Sequence, residues 1–407
     1  APATPPRPDQ APTAAARYLT PDPFAPAGTV DGADDADYLL EQHFWATAVV
    51  VRDRLIELNT QAAAFFTDRY SASWAPGYLR DRLDTDLTAD PRFTPGYAPA
   101  GWTALVDHLR GLGATDTELV AAGLAQRART GALIDRFRDR LTFPIHDADG
   151  AIVGFIGRRS PSAAAGGRAG PKYLNTPGTD LYRKGEHLFG LYESRSALAA
   201  GATPALVEGP LDAIALTLSG AGQTVGVATL GTALTDRQAD LLGHYIRTDG
   251  PGILVATDND LAGQQAAERI YWQLTSRGDA PRRLALPEGL DPADLVHRDG
   301  ATGLRTAIDS SRSLADTLLD ARVIPAVRER TDSDIHAALR EAGAIIGALP
   351  PGRWLAHIGR ITEVLGVPPG TVHRAVLNAD SNISEPRRST SAPQRASRST
   401  SRSEDLH

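Results

Sequence analysis

Residues 205–216, ALVEGPLDAIAL, and 252–267, GILVATDNDLAGQQAA, decide how the rest of the chain is read. Each is a short apolar run that ends in acidic residues and opens directly into a helical pattern. TVGVATLG (224–231) leads in the same way into DRQADLLGHYI (236–246), and RRLALPEG (282–289) into DPADLVHRDG (291–300). Such strand–helix alternation predicts an α/β domain with a mostly parallel sheet over 199–302. In open sheets of this kind, ligands sit beyond the carboxyl ends of the strands. The residues found there are Glu208, four before Asp212, and the pair Asp258 and Asp260. Residues two apart at a strand end share a side, so both aspartates face one point. Carboxylates gathered at neighbouring strand ends repel one another, and a cation relieves that repulsion. Oxygen donors without cysteine or histidine suit Mg²⁺ or Mn²⁺. Asp-Asn-Asp before a helix also reads as a simple N-cap. What points to a metal is E-G-x-x-D after one strand paired with D-x-D-x-x-G after another.

Outward from this centre, the pattern from Asp37 to Arg69 spaces its apolar residues at threes and fours, as a helix requires. LTFPIHDADGAIVGFIGRR (141–159) is two apolar runs around Asp149-Gly150, a hairpin signal. Residues 36–198 therefore read as an N-terminal α+β subdomain. From 303 to 378 the pattern is helical, broken at PPGR (350–353), which predicts a C-terminal helical subdomain. The Pro/Ala-rich start, 1–35, and the Ser/Arg-rich end, 379–407, are expected to lack fixed structure.

Composition narrows the classes. An apolar fraction of 42% is enough for real cores. No apolar run approaches the roughly 18 to 20 residues of a membrane span, and the N-terminus lacks a secretory pattern, so a cytoplasmic location is expected. With no cysteine, disulfides and thiolate zinc sites are excluded, and the scattered histidines offer no zinc spacing either. The net charge of -7 decides nothing about a nucleic-acid partner, because metal-binding carboxylates and phosphate-binding cations cancel in the sum. Of 42 basic residues only Lys172 and Lys184 are lysine. Two isolated lysines in an arginine-rich chain suggest places where a compact ammonium on a flexible stem matters.

VEGPLDAIAL and VATDNDLAGQQAA resemble the two motifs of TOPRIM domains, which occur in primases, topoisomerases and some nucleases. The resemblance narrows with RFRDRLTFPIHDADGAIVGFIGR (136–158) and PKYLNTPGTDLYRKGEHLFGLYE (171–193), which look like the N-terminal half of a bacterial DnaG-type primase core. GYAPAGW (96–102), VATLGTALT (227–235) and ALPPGRWLAHIGRITEVLGV (348–367) fit the same family, so the likeness runs from about 50 to 378. By that resemblance Glu208, Asp212, Asp258, Asp260 and Asp291 fall on the metal-site carboxylates. Lys172, Lys184, Arg158 and, with a one-residue offset, Arg82 fall on basic positions that bind nucleotide or template, and Asn175 lies in the same PKYLN motif. The implied activity is synthesis of short RNA primers on single-stranded DNA from ribonucleoside triphosphates, with Mg²⁺ or Mn²⁺ and no zinc. A replicative helicase or a separate zinc-binding module are the implied protein partners.

Three departures qualify the likeness. The family's zinc ribbon cannot be formed by a sequence without cysteine. LDPADLV puts Ala293 where the pattern has its second aspartate, with Asp294 one step on, a turn of about 100° in a helix. Pro210 follows Glu208-Gly209 where the pattern carries a bulky residue. Two other functions share these motifs: a TOPRIM nuclease, which would cut without nucleotides, and a nonenzymatic nucleic-acid-binding replication module.

Overall fold

The computed structural model describes residues 50–162, 170–247, 249–257, 260–327 and 331–383. Asp258, the expected 1–35 linker and the tail beyond Ile383 lie outside the described residues, so those readings meet no structure here. The chain divides into two compact units at Thr317/Leu318.

The first unit opens with α1 (Arg52–Tyr70), whose Leu55, Leu58, Ala62, Phe65 and Phe66 are buried at helical spacing. α2 (Ala75–Leu83) begins with Pro76 in its first turn and stops at Asp84, whose positive φ of 50° ends the helix. β1 (Gly96–Ala98), α3 (Ala104–Gly111), α4 (Asp116–Ala121) and the hairpin of β2 (Ala125–Arg127) with β3 (Leu133–Asp135) follow. β4 (Arg140–His146) and β5 (Ile152–Arg159) pair antiparallel, as their sequence predicts, and the chain reverses through Gly150 at φ 89°. With β6 (Tyr173–Asn175) they form an antiparallel sheet of order β1-β4-β5-β6.

α5 (Arg195–Ala199) leads into the second sheet. Its strands and helices alternate in sequence: β7 (Thr203–Val207), α6 (Pro210–Ser219), β8 (Thr224–Ala228), α7 (Asp236–Gly243), β9 (Leu254–Val255), α8 (Leu261–Thr275), β10 (Arg282–Arg283) and α9 (Pro292–Asp309). All four strand–helix units are present, and β7, β8, β9 and β10 run parallel. A two-residue strand, β11 (Arg312–Ser313), pairs antiparallel with β10 inside a stretch whose sequence pattern is helical. Two residues are too few to show a strand period. Pro210 is the first residue of α6, where its fixed φ suits a helix start, so the loop after Glu208 accommodates it without distortion. The sheet order is β11-β10-β9-β7-β8. One hydrophobic core, from Leu55 to Ile308, runs through both sheets, which fixes the antiparallel sheet against the parallel one.

In the second unit, α10 (Leu314–Ala326) crosses the boundary and is followed by α11 (Asp332–Gly347), α12 (Trp354–Leu365) and α13 (Pro369–Ile383). Ile345, Ile346, Ile361, Val372 and Val376 form its interior, and Trp354 Nε1 donates to the Leu349 carbonyl at 2.7 Å. The expected terminal tail thus starts inside α13. Among the described residues no helix is long and apolar enough to cross a membrane.

Candidate metal and nucleic-acid site

β7 has β8 on one side and β9 on the other, so the chain reverses its direction of progress across the sheet between them. A crevice opens beyond the carboxyl ends at such a switch point. Leu206 lies opposite Val255, so the residues that follow, Glu208 and Thr257, leave the sheet side by side. Glu208 is exposed there, and so is Asp260. Asp260 is also the N-cap of α8: its Oδ1 accepts from the Gly263 N–H at 2.7 Å. The bland reading of this aspartate and the chemical one therefore concern the same residue. Asp212 lies in the first turn of α6, at the positive end of that helix.

Among the described residues no three acidic or histidine side chains form a ready cage. Mg²⁺ does not need one: it keeps several waters and is held by one or two carboxylates together with substrate phosphates. The donors at the crevice are all carboxylates, which fits such an ion, and Asp258 adjoins them in sequence.

The strand end is held by the PKYLN segment. Asn175 Nδ2 donates to the Leu230 carbonyl at 3.1 Å, and the Leu230 N–H donates to the Glu208 carbonyl at 3.1 Å. Leu230 sits at φ 64°, a left-handed conformation costly to a leucine. The Lys184 loop is docked beside the same sheet. Thr235 Oγ1 donates to the Gly185 carbonyl at 2.5 Å and Gln238 Nε2 to the His187 carbonyl at 2.8 Å. Both lysines are exposed.

The antiparallel sheet carries a concentration of cations. Arg140 is buried, donating to the Gly157 and Pro171 carbonyls at 3.0 and 3.1 Å. Burial, and then the neighbouring Arg159, Arg138 and Arg136, push its pKa down to about 10. Arg158 lies between two rings, 4.5 Å from the centroid of Tyr78 and 5.6 Å from that of Tyr173, and Lys172 Nζ is 5.8 Å from the Tyr173 centroid. The sequence reading missed both tyrosines. Tyr173 adjoins Lys172 in the sequence, but nothing there pairs Tyr78 with Arg158.

The remaining two expected residues meet each other. The Arg82 guanidinium pairs with Asp294 and, at 3.2 Å, with Asp291. Burial pushes the Asp212 carboxyl well above its usual range, and the nearby Asp291 adds to the push. Asp291 is also raised by burial, against the opposing Asp294 N–H and Arg82. At Asp294 burial acts the same way, but Arg82 outweighs it and holds the carboxyl low.

Two families match this chain: "DNA primase catalytic core, N-terminal domain" over residues 65–195 and "Toprim-like" over 205–296. A DNA primase domain from Pseudomonas aeruginosa superposes with a TM-score of 0.63 at 31% identity, covering 79% of this chain and 99% of that one. The chain belongs to the DnaG primase family. A DnaG primase catalytic domain bound to single-stranded DNA gives a TM-score of 0.65 at 27% identity, over 78% and 98% of the two chains. The DNA primase of Streptomyces coelicolor is 34% identical over 304 residues, 73% of this chain and 46% of that protein. The chain spans about half the length of the curated relatives it matches.

Proposed function

We propose that this chain is the polymerising core of a DnaG-type primase, making short RNA primers on single-stranded DNA. The observation that carries the reading is the physical link between an acidic crevice and a basic sheet. Asn175, at the end of the strand that begins beside Lys172, is hydrogen-bonded through Leu230 to the backbone of Glu208. Nucleotidyl transfer needs both halves at once, carboxylates for a metal and cations for triphosphate and template.

Glu208, Asp258 and Asp260 would hold Mg²⁺ or Mn²⁺, which would neutralise the triphosphate while a ribonucleotide 3′-OH, losing its proton, attacks the α-phosphate in line and the α–β bond breaks to release pyrophosphate. Lys172 and Lys184, exposed and flexible, hold phosphate charge as point cations. Arg158, fixed between Tyr78 and Tyr173, meets the template backbone with little orientation left to lose. Asp212 sits behind the crevice. Neither zinc nor a thiolate site has a place in this scheme, and a zinc-binding module or a helicase would act from a separate chain or segment. Replication in the cytoplasm is the matching setting.

The test is primer synthesis on mixed single-stranded DNA with labelled ribonucleotides and Mg²⁺ or Mn²⁺. Short labelled products are expected from the wild type, and none from Asp258→Ala/Asp260→Ala of unchanged circular dichroism. Metal-dependent shortening of the template without nucleotides would replace this reading with a nuclease. Binding with neither activity would leave a nonenzymatic module.

A further inference from the structure

α2 and α9 are joined at three points. Arg82 of α2 reaches Asp294 with one guanidinium nitrogen and Asp291 with the other, at 3.2 Å to Oδ1 and 3.4 Å to Oδ2. One turn along α9, His297 Nδ1 donates to the Asp81 carbonyl at 2.6 Å. The two carboxylates are further engaged with the helix they start. Asp291 Oδ1 accepts the Asp294 N–H at 2.6 Å, and Asp294 Oδ2 accepts the Asp291 N–H at 3.4 Å, a capping box. Asp291 Oδ1 therefore already has two donors, and Oδ2 has the guanidinium beside it. The Arg82 side chain is 18% exposed and those of Asp291 and Asp294 are 29% and 33%, so the pair is screened from bulk water on most sides.

We infer that Arg82 is the counter-cation of the carboxylates at the start of α9, occupying the place a divalent ion would otherwise take at Asp291. The inference rests on the metal reading above and narrows it to Glu208, Asp258 and Asp260. A planar guanidinium suits this task, because its two nitrogens address two carboxylates at once. The positions where the sequence steps one residue off the primase pattern, Arg82 and Asp294, are the positions that meet. With Ala293 in place of an aspartate, the α9 start has one fewer carboxylate aimed with Asp291, and an internal cation offsets part of the charge that remains. Arg82 is then a positioning residue that locks α2 and α9 together, and template phosphate is left to Arg158 and the lysines.

Mn²⁺ binding to the full chain, followed by the loss of the free-ion electron paramagnetic resonance signal, separates the possibilities without any turnover. Asp291→Asn keeps a side-chain acceptor for the cap and is expected to leave Mn²⁺ stoichiometry and affinity unchanged. Arg82→Ala is expected to add an Mn²⁺ equivalent at Asp212 and Asp291, and Arg82→Lys to restore the wild-type number. Loss of an Mn²⁺ in Asp291→Asn, or no gain in a folded Arg82→Ala, would overturn the inference. If Arg82→Ala fails to fold, the Asp291→Asn comparison still decides it. A wild type that binds no Mn²⁺ at all would sink the metal reading instead, while a gain from zero in Arg82→Ala would still support the arginine's role.

Discussion

Asn175 reaches the Glu208 backbone in two hydrogen bonds through Leu230. The intermediate residue is held in a left-handed conformation that costs a leucine roughly 1–2 kcal/mol, and the Asn175 donor helps hold it there. Asn175→Ala removes a hydrogen bond worth about 1 kcal/mol. We expect urea unfolding to show a loss of that order, with Mn²⁺ affinity falling several-fold as the strand end relaxes. Stability lost with Mn²⁺ affinity intact would reduce Asn175 to a structural brace. Asp260 makes a related point, for a residue type favoured at helix starts also follows a strand end of the parallel sheet. Its identity alone does not separate the two roles.

At the scale of elements, the four strand–helix units were legible because each carries its own apolar run and its own helical period. The strand order was not. Nothing in the order of the segments places β9 beside β7, although that adjacency sets side by side the strand ends that Glu208 and Asp260 follow. Close packing of α6 on the sheet depends on Gly226 of β8, where a Cβ would lie 2.1 Å from the Ala213 carbonyl oxygen. The backbone of a helix is the neighbour, so no side-chain rotation relieves the clash. Gly226→Ala is expected to cost about 1–3 kcal/mol, in line with other overpacked cores, and to displace the start of α6 together with Glu208, which lies just before it. Thermal unfolding together with Mn²⁺ titration reads both effects, and an unchanged melting temperature would show that α6 has room to shift.

For the whole molecule, the net charge of -7 and a polyanionic partner are compatible because fields are local. At about 0.1 M salt, charges farther than roughly 10 Å are largely screened, so DNA on the proposed path along the antiparallel sheet would feel Arg158, Arg159, Lys172 and their neighbours. Single-strand affinity should fall steeply with salt. If Arg158 and Lys172 contact phosphate as proposed, Arg158→Ala and Lys172→Ala should each reduce the slope of log affinity against log salt by about 0.7. Fluorescence anisotropy across a salt series measures this, and a slope untouched by either variant would move the template path elsewhere.

By itself the sequence determined the classes of its elements, the hairpin at Gly150, the α/β alternation, and the acidic strand ends with their paired motifs. These are properties of neighbours in the chain, set by periodicity and by residues that start or stop helices. The tertiary structure alone decided that β9 lies against β7, that Tyr78 and Tyr173 hold Arg158, and that Arg82 meets Asp291 and Asp294 across more than 200 residues. Such contacts depend on how the shared core orients α2, α9 and the two sheets. A residue's type shows what partner it can take, and packing determines which partner is within reach.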